Sequence, residues 1–140
     1  MNNKMIFNLS ALIVVLLCSN ANANTCSISS FTAQRLVLLA QQHNSTNFAF
    51  SVACQQSYSI RFSSLNTQSS DGIGFLRNGP HKVKVKMSAR NHQNLPWGLP
   101  VQQYENLSHQ YIVTASVLDS ISPTTPAGQY KDQIKIQIEF

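Results

Sequence analysis

Residues 130–140 read Tyr130-Lys131-Asp132-Gln133-Ile134-Lys135-Ile136-Gln137-Ile138-Glu139-Phe140, and this stretch decides the fold class. From Ile134 onward the even positions are apolar (Ile134, Ile136, Ile138, Phe140) and the odd positions polar (Lys135, Gln137, Glu139). Side chains alternate between faces along a strand, so three isoleucines and a phenylalanine share one face. β-Branched and aromatic residues suit such a pleated, half-buried surface. The alternation runs to the last residue, so nothing after it in the chain is expected to cover its outer edge. A long apolar edge invites pairing with another chain.

The same period of two recurs upstream. Phe48, Phe50, Val52 and Cys54 share one face, and Tyr58, Ile60 and Phe62 follow after Gln55-Gln56. These runs form either one hairpin or two successive strands. Val83, Val85 and Met87 alternate with Lys82, Lys84 and Lys86. That lysine row is a solvated face that discourages unwanted pairing, with phosphate binding as the sharper alternative. Gln110–Asp119 is a further strand, and Cys26–Phe31 a short extended start. Asn66–Gly74 and Ser122–Gly128 are loops. Arg35–Gln42 fits a helix turn or a buried strand, which periodicity does not separate. Six to eight strands at this spacing point to an all-β sandwich.

In Asn91–Val101 the run Leu95-Pro96-Trp97-Gly98-Leu99-Pro100 breaks regular structure. Trp97 either folds back on the sheet as a satellite of the core or, with Leu95, Pro96 and Leu99, forms an apolar tip that touches a surface.

The amino terminus has the pattern of a secretory signal. Lys4 precedes an apolar stretch from Ile6 to Leu17, and Ala21-Asn22-Ala23 is a small-x-small cleavage site. The expected organisation is a removed leader over 1–23 and one domain over 24–140. The apolar run is too short for a comfortable membrane span, so no stable membrane insertion is expected. Cleavage removes Cys18 and leaves Cys26 and Cys54, an even pair that in an exported chain implies a disulfide.

The formal net charge is +5, but charged residues are only 11% of the 140-residue chain. Lysines and arginines are not interleaved with aromatics as a nucleic-acid site requires, so no nucleic-acid partner is expected. His43, His81, His92 and His109 lack metal-ligand spacing, and no nucleophile elbow, phosphate loop or H-E-x-x-H motif occurs. Asp132 lies on the apolar parity of the last strand, where it is expected to bind a turn backbone or a tyrosine hydroxyl rather than act as an acid or base. No catalytic residue, metal or cofactor is expected, and an enzyme is not.

Ala127-Gly128-Gln129-Tyr130-Lys131-Asp132, followed by the alternating strand to a terminal aromatic, resembles the spore coat protein U family. That family includes subunits of archaic (Csu-type) chaperone–usher pili. Cys26, the Phe50-Ser51-Val52-Ala53-Cys54 strand end and Trp97-Gly98 add weaker matches. The resemblance implies an immunoglobulin-like β-sandwich that is incomplete, lacking its final strand. A periplasmic chaperone, and later a neighbouring pilus subunit, would supply that strand beside Tyr130, Asp132, Ile134, Ile136, Ile138 and Phe140. It also implies an outer-membrane usher as partner and a path through the periplasm to a cell-surface fimbria. Only Asn24 and Thr25 separate the expected cleavage site from Cys26, too short a stub to span a neighbour's groove at ~3.4 Å per residue. Three explanations fit: a different start site, a donor arm drawn from residues after Cys26, or a subunit that only accepts; the last, which places it at a fibre end, is the expectation. The alternative is a stand-alone secreted binding domain that completes its own sandwich.

Overall fold

The computed structural model describes residues 4–6, 25–30, 32, 37–39, 43–104 and 108–140. In chain order the strands are β1 (Lys4–Ile6), β2 (Cys26–Ser29), β3 (Val37–Leu39), β4 (Ser45–Cys54), β5 (Tyr58–Ser64) and β6 (Ile73–Asn78). They continue with β7 (His81–Arg90), β8 (Asn94–Leu95), β9 (Val101–Gln103), β10 (Ser108–Val117) and β11 (Ile134–Glu139). Among the described residues no helix is long and apolar enough to cross a membrane.

One sheet runs β2-β4-β10-β7-β6, with β8 beside β7, and a second runs β11-β5-β9. All pairings in both are antiparallel. The order β2-β4-β10-β7 is that of strands A-B-E-D of an immunoglobulin sandwich, and β11-β5 that of F-C. Consecutive β4 and β5 therefore lie in different sheets, so the two-strand alternative holds and the hairpin does not. A strand apolar on one face buries it against the facing sheet, and changing sheets between β4 and β5 lets both do so.

The inner faces meet through aromatic rings. Phe62 of β5 packs on Phe50 of β4 and Tyr111 of β10, with ring centroids 6.2 and 5.7 Å apart. The hydroxyls of Tyr58 and Tyr111 share a buried hydrogen bond of 2.7 Å across the same gap. Burial raises the pKa of both tyrosines, so the pair stays neutral. Val83, Val85, Met87 and Ala89 on β7 complete the floor, and Lys82, Lys84, Lys86 and Ser88 between them face out.

Two boundaries change and one alternative is settled. The loop over Asn66–Gly74 ends early, because β6 begins at Ile73 and pairs with β7. Within Arg35–Gln42, Val37–Leu39 is a strand with Leu38 fully buried, which selects the strand alternative for the described part. The strand expected to start at Gln110 starts at Ser108. The turn into β6 needs a glycine at 72: its φ is +77°, and an added Cβ would meet the Met87 carbonyl.

The leader expected over 1–23 lies outside the described residues except for Lys4–Ile6. There β1 pairs antiparallel with β3, as a sheet of two strands.

Candidate functional site

The outer edge of β11 is the feature to build. Ile134 through Glu139 pair with Ser64 through Ser59 of β5. Among the described residues no strand pairs with the opposite edge of β11. In an antiparallel pair, alternate N–H and C=O groups point away from the partner, so this edge presents a ready row of donors and acceptors. Ile134, Ile136 and Ile138 turn into the sandwich and are buried. Phe140 lies just past the strand and is 47% exposed. The period-two pattern set the first three correctly; only Phe140 escapes it, because it is beyond the last ladder pair.

The entry to β11 is locked in place. The Tyr130 hydroxyl donates to the Pro126 carbonyl at 2.9 Å, four residues upstream. A buried tyrosine that reaches back to the backbone just before strand F is the tyrosine corner of immunoglobulin-like sandwiches. Next along, Lys131 and Arg77 exchange backbone hydrogen bonds of 2.8 and 3.0 Å, which ties this segment to the edge of the other sheet. One side of the sandwich is thereby closed by the chain itself.

Asp132 is 4% exposed, and its Oδ1 accepts from the amides of Asn66 (3.0 Å) and Gln133 (2.8 Å). The expectation that it binds a turn backbone holds: it fastens the loop after β5 to the start of β11. Its Oδ2 and the hydroxyls of Ser64 and Thr67 are buried without hydrogen bonds of ordinary geometry. Burial pushes the Asp132 carboxyl above its usual range, opposed by the nearby Ser64 hydroxyl, the two amides and the Thr67 hydroxyl. Ser64 continues the inward parity of Tyr58, Ile60 and Phe62, but nothing in the sequence marks Thr67, in the loop after β5, as buried beside Asp132.

Cys26 and Cys54 form the disulfide, with an S–S distance of 2.05 Å. They stand directly opposite each other in the β2–β4 pair, which fixes the short β2 at the sheet edge.

At the loop through Leu95 the structure selects between the two alternatives. Trp97 is only 2% exposed: it stacks on Phe62 and donates its indole N–H to the Thr67 carbonyl at 3.3 Å. Leu95, in β8, is also buried. The apolar tip is thus not formed by Leu95 and Trp97. A large ring with one polar atom gains more from the sheet than from water when a backbone acceptor awaits its N–H. Pro96 and Leu99 remain outside, Leu99 being 52% exposed.

No family model matches the chain, and no curated protein does either. Among solved structures, the crystal structure of the CupB6 tip adhesin from Pseudomonas aeruginosa is similar, with a TM-score of 0.38 and 13% identity. The match covers 95% of this chain and 40% of that one, so the chain spans less than half of that adhesin's length. The assignment of the fold rests on the strand order and register above.

Proposed function

We propose that the chain is a structural and adhesive subunit of a chaperone–usher surface fimbria, of the spore coat protein U type, and that it accepts a donor strand along β11. The observation that carries this is the edge of β11, which has no described strand beyond it. In a complete immunoglobulin sandwich strand F lies between C and G. Here the F-position strand has its C neighbour, β5, and an open side where G would be. Its inward residues Ile134, Ile136 and Ile138 supply an apolar floor, while main-chain groups supply the pairing.

Removal of a leader ending at Ala23 is part of the proposal. It would remove β1, the one described strand that pairs with Val37–Leu39. A periplasmic chaperone would cover the edge of β11 first, and a neighbouring subunit delivered at the outer-membrane usher would replace it. Placement at the fibre end is supported by the two residues between the expected cleavage site and Cys26, which the disulfide pins to β4. The role is non-enzymatic; Asp132, the buried carboxylate, is committed to backbone amides rather than to a substrate.

The test is self-complementation. Residues 24–140 are produced in an oxidising compartment, alone and with a flexible linker after Phe140 that carries an alternating apolar strand. The extension is expected to raise the urea midpoint and to abolish self-association. A chain that is monomeric alone, with a midpoint unmoved by the extension, would instead be the stand-alone secreted domain.

A further inference from the structure

We propose that the outer face of the β6–β7 half of the larger sheet is a docking surface for an anionic polysaccharide. Lys82, Lys84, Lys86 and Arg90 occupy outward positions on β7, between the buried Val83, Val85, Met87 and Ala89. Arg77 of β6 stands directly opposite Lys82, and Lys131 stands directly opposite Arg77 on its other side. Directly opposed residues share a face, so Lys131, Arg77 and Lys82 form a row of like charges with Cβ atoms about 4.5–5.5 Å apart. Along β7 the lysines repeat every ~6.6–6.8 Å. Six of the ten Lys and Arg side chains of the whole chain thus lie on one patch.

Like charges placed directly opposite each other destabilise a sheet. Two nearby acids offset part of this and leave the six cations in excess. Asp119 Oδ2 accepts from the backbone amide of Lys84 at 2.7 Å, and Asp71, at the rim near Lys86, is held ionised chiefly by the Ser69 hydroxyl. A polyanion laid across the row would neutralise the repulsion and release its own counterions. The other sheet has no such concentration: outward Arg61 and Lys135 alternate there with Gln137 and Glu139.

The chemistry favours a sugar polymer over a nucleic acid. The outward aromatic of this patch, Phe75, is 37% exposed and carries the Lys82 ammonium 5.5 Å from its ring centre; it is a lone ring, not the series of aromatics on which successive bases stack. Beside the cations, Ser88, Thr114, Ser116 and Asn47 face out along β7, β10 and β4. These hydroxyls and an amide match sugar hydroxyls, while lysines act as point charges for carboxylates without demanding the bidentate geometry of arginine. The proposal is independent of how β11 is completed.

The test uses the full chain and immobilised sodium polygalacturonate, with neutral dextran as the blank. Lys84→Gln/Lys86→Gln is compared with Arg61→Gln/Lys135→Gln, which removes the same charge from the other sheet. The first pair is expected to weaken binding about tenfold, and raising salt from about 50 to about 300 mM to weaken the wild type further. The second pair is expected to change it less than about twofold, and Lys84→Arg/Lys86→Arg to keep it, which separates charge from misfolding. Equal loss from both Gln pairs would reduce the effect to net charge and overturn the proposal. So would retention no greater than on dextran, or tighter binding of single-stranded DNA than of polygalacturonate.

Discussion

Replacing Asp132 by Asn and by Ala separates its charge from its hydrogen bonds. Oδ1 accepts two backbone amides, from Asn66 and Gln133, while Oδ2 faces the Ser64 and Thr67 hydroxyls in a buried site. Asn keeps the acceptor and turns the unsatisfied oxygen into a donor toward those hydroxyls. Ala removes everything. Hydrogen bonds to a charged group are worth about 1.5–3 kcal/mol each, and here two share one oxygen, with Gln133 solvent-exposed. Asp132→Ala should therefore cost about 2–3 kcal/mol and Asp132→Asn less than about 1 kcal/mol near neutral pH.

The pH dependence carries the sharper test. Burial raises the folded-state pKa of Asp132 above its unfolded value. Its contribution is then fully present below the unfolded pKa of about 3.9 and is lost as pH rises through the folded pKa. Stability of the wild type relative to Asp132→Asn should fall from acid toward neutral pH. Asp71, held below its usual range first by the Ser69 hydroxyl and then by the Ile73 amide, works in the opposite sense. It is common to both proteins and cancels in the comparison. Urea unfolding followed by circular dichroism, at matched pH and with any co-purifying partner retained, reads the difference. Parallel pH curves for wild type and Asn variant, or an Asn variant as unstable as the Ala variant, would refute the buried-carboxylate account.

Cys26→Ser/Cys54→Ser opens a loop with a sequence separation of 28, and should lower stability by about 3–4 kcal/mol on the chain-entropy account; the urea midpoint under non-reducing conditions reads this, and an unchanged midpoint would speak against it. Trp97→Ala should cost about 3–5 kcal/mol because the ring is buried against Phe62. Leu99→Ser, at an exposed position of the same loop, should change stability by less than about 0.5 kcal/mol. Since Trp97 is the only tryptophan, its emission in the folded chain should be blue-shifted and shielded from acrylamide, and a solvent-like spectrum would contradict its burial. Tyr130→Phe removes the bond to the Pro126 carbonyl and should cost about 1 kcal/mol with the fold intact; thermal unfolding measures it.

The sequence by itself settled what alternation can settle. The pattern of Ile134, Ile136 and Ile138, and of Phe48, Phe50 and Val52, set which side chains turn inward, because a strand has only two faces. It also gave the Cys26–Cys54 bridge once one cysteine was assigned to a leader. It did not show β6, whose Ile73-Gly74-Phe75-Leu76 follows a loop-like run and alternates with a glycine. Nor did it decide that β4 and β5 part into different sheets, since neighbours in sequence can pair or cross with the same pattern. Trp97 was undecided for a similar reason: its burial depends on Phe62 and on the Thr67 carbonyl, which are brought to it from β5 and the loop that follows. The row of Lys131, Arg77 and Lys82 joins residues far apart in the chain through register alone. That no described strand pairs with the outer edge of β11 is likewise a property of strand order. Periodicity says which face of a strand is apolar, but only the packed sheets say which strand lies beside which.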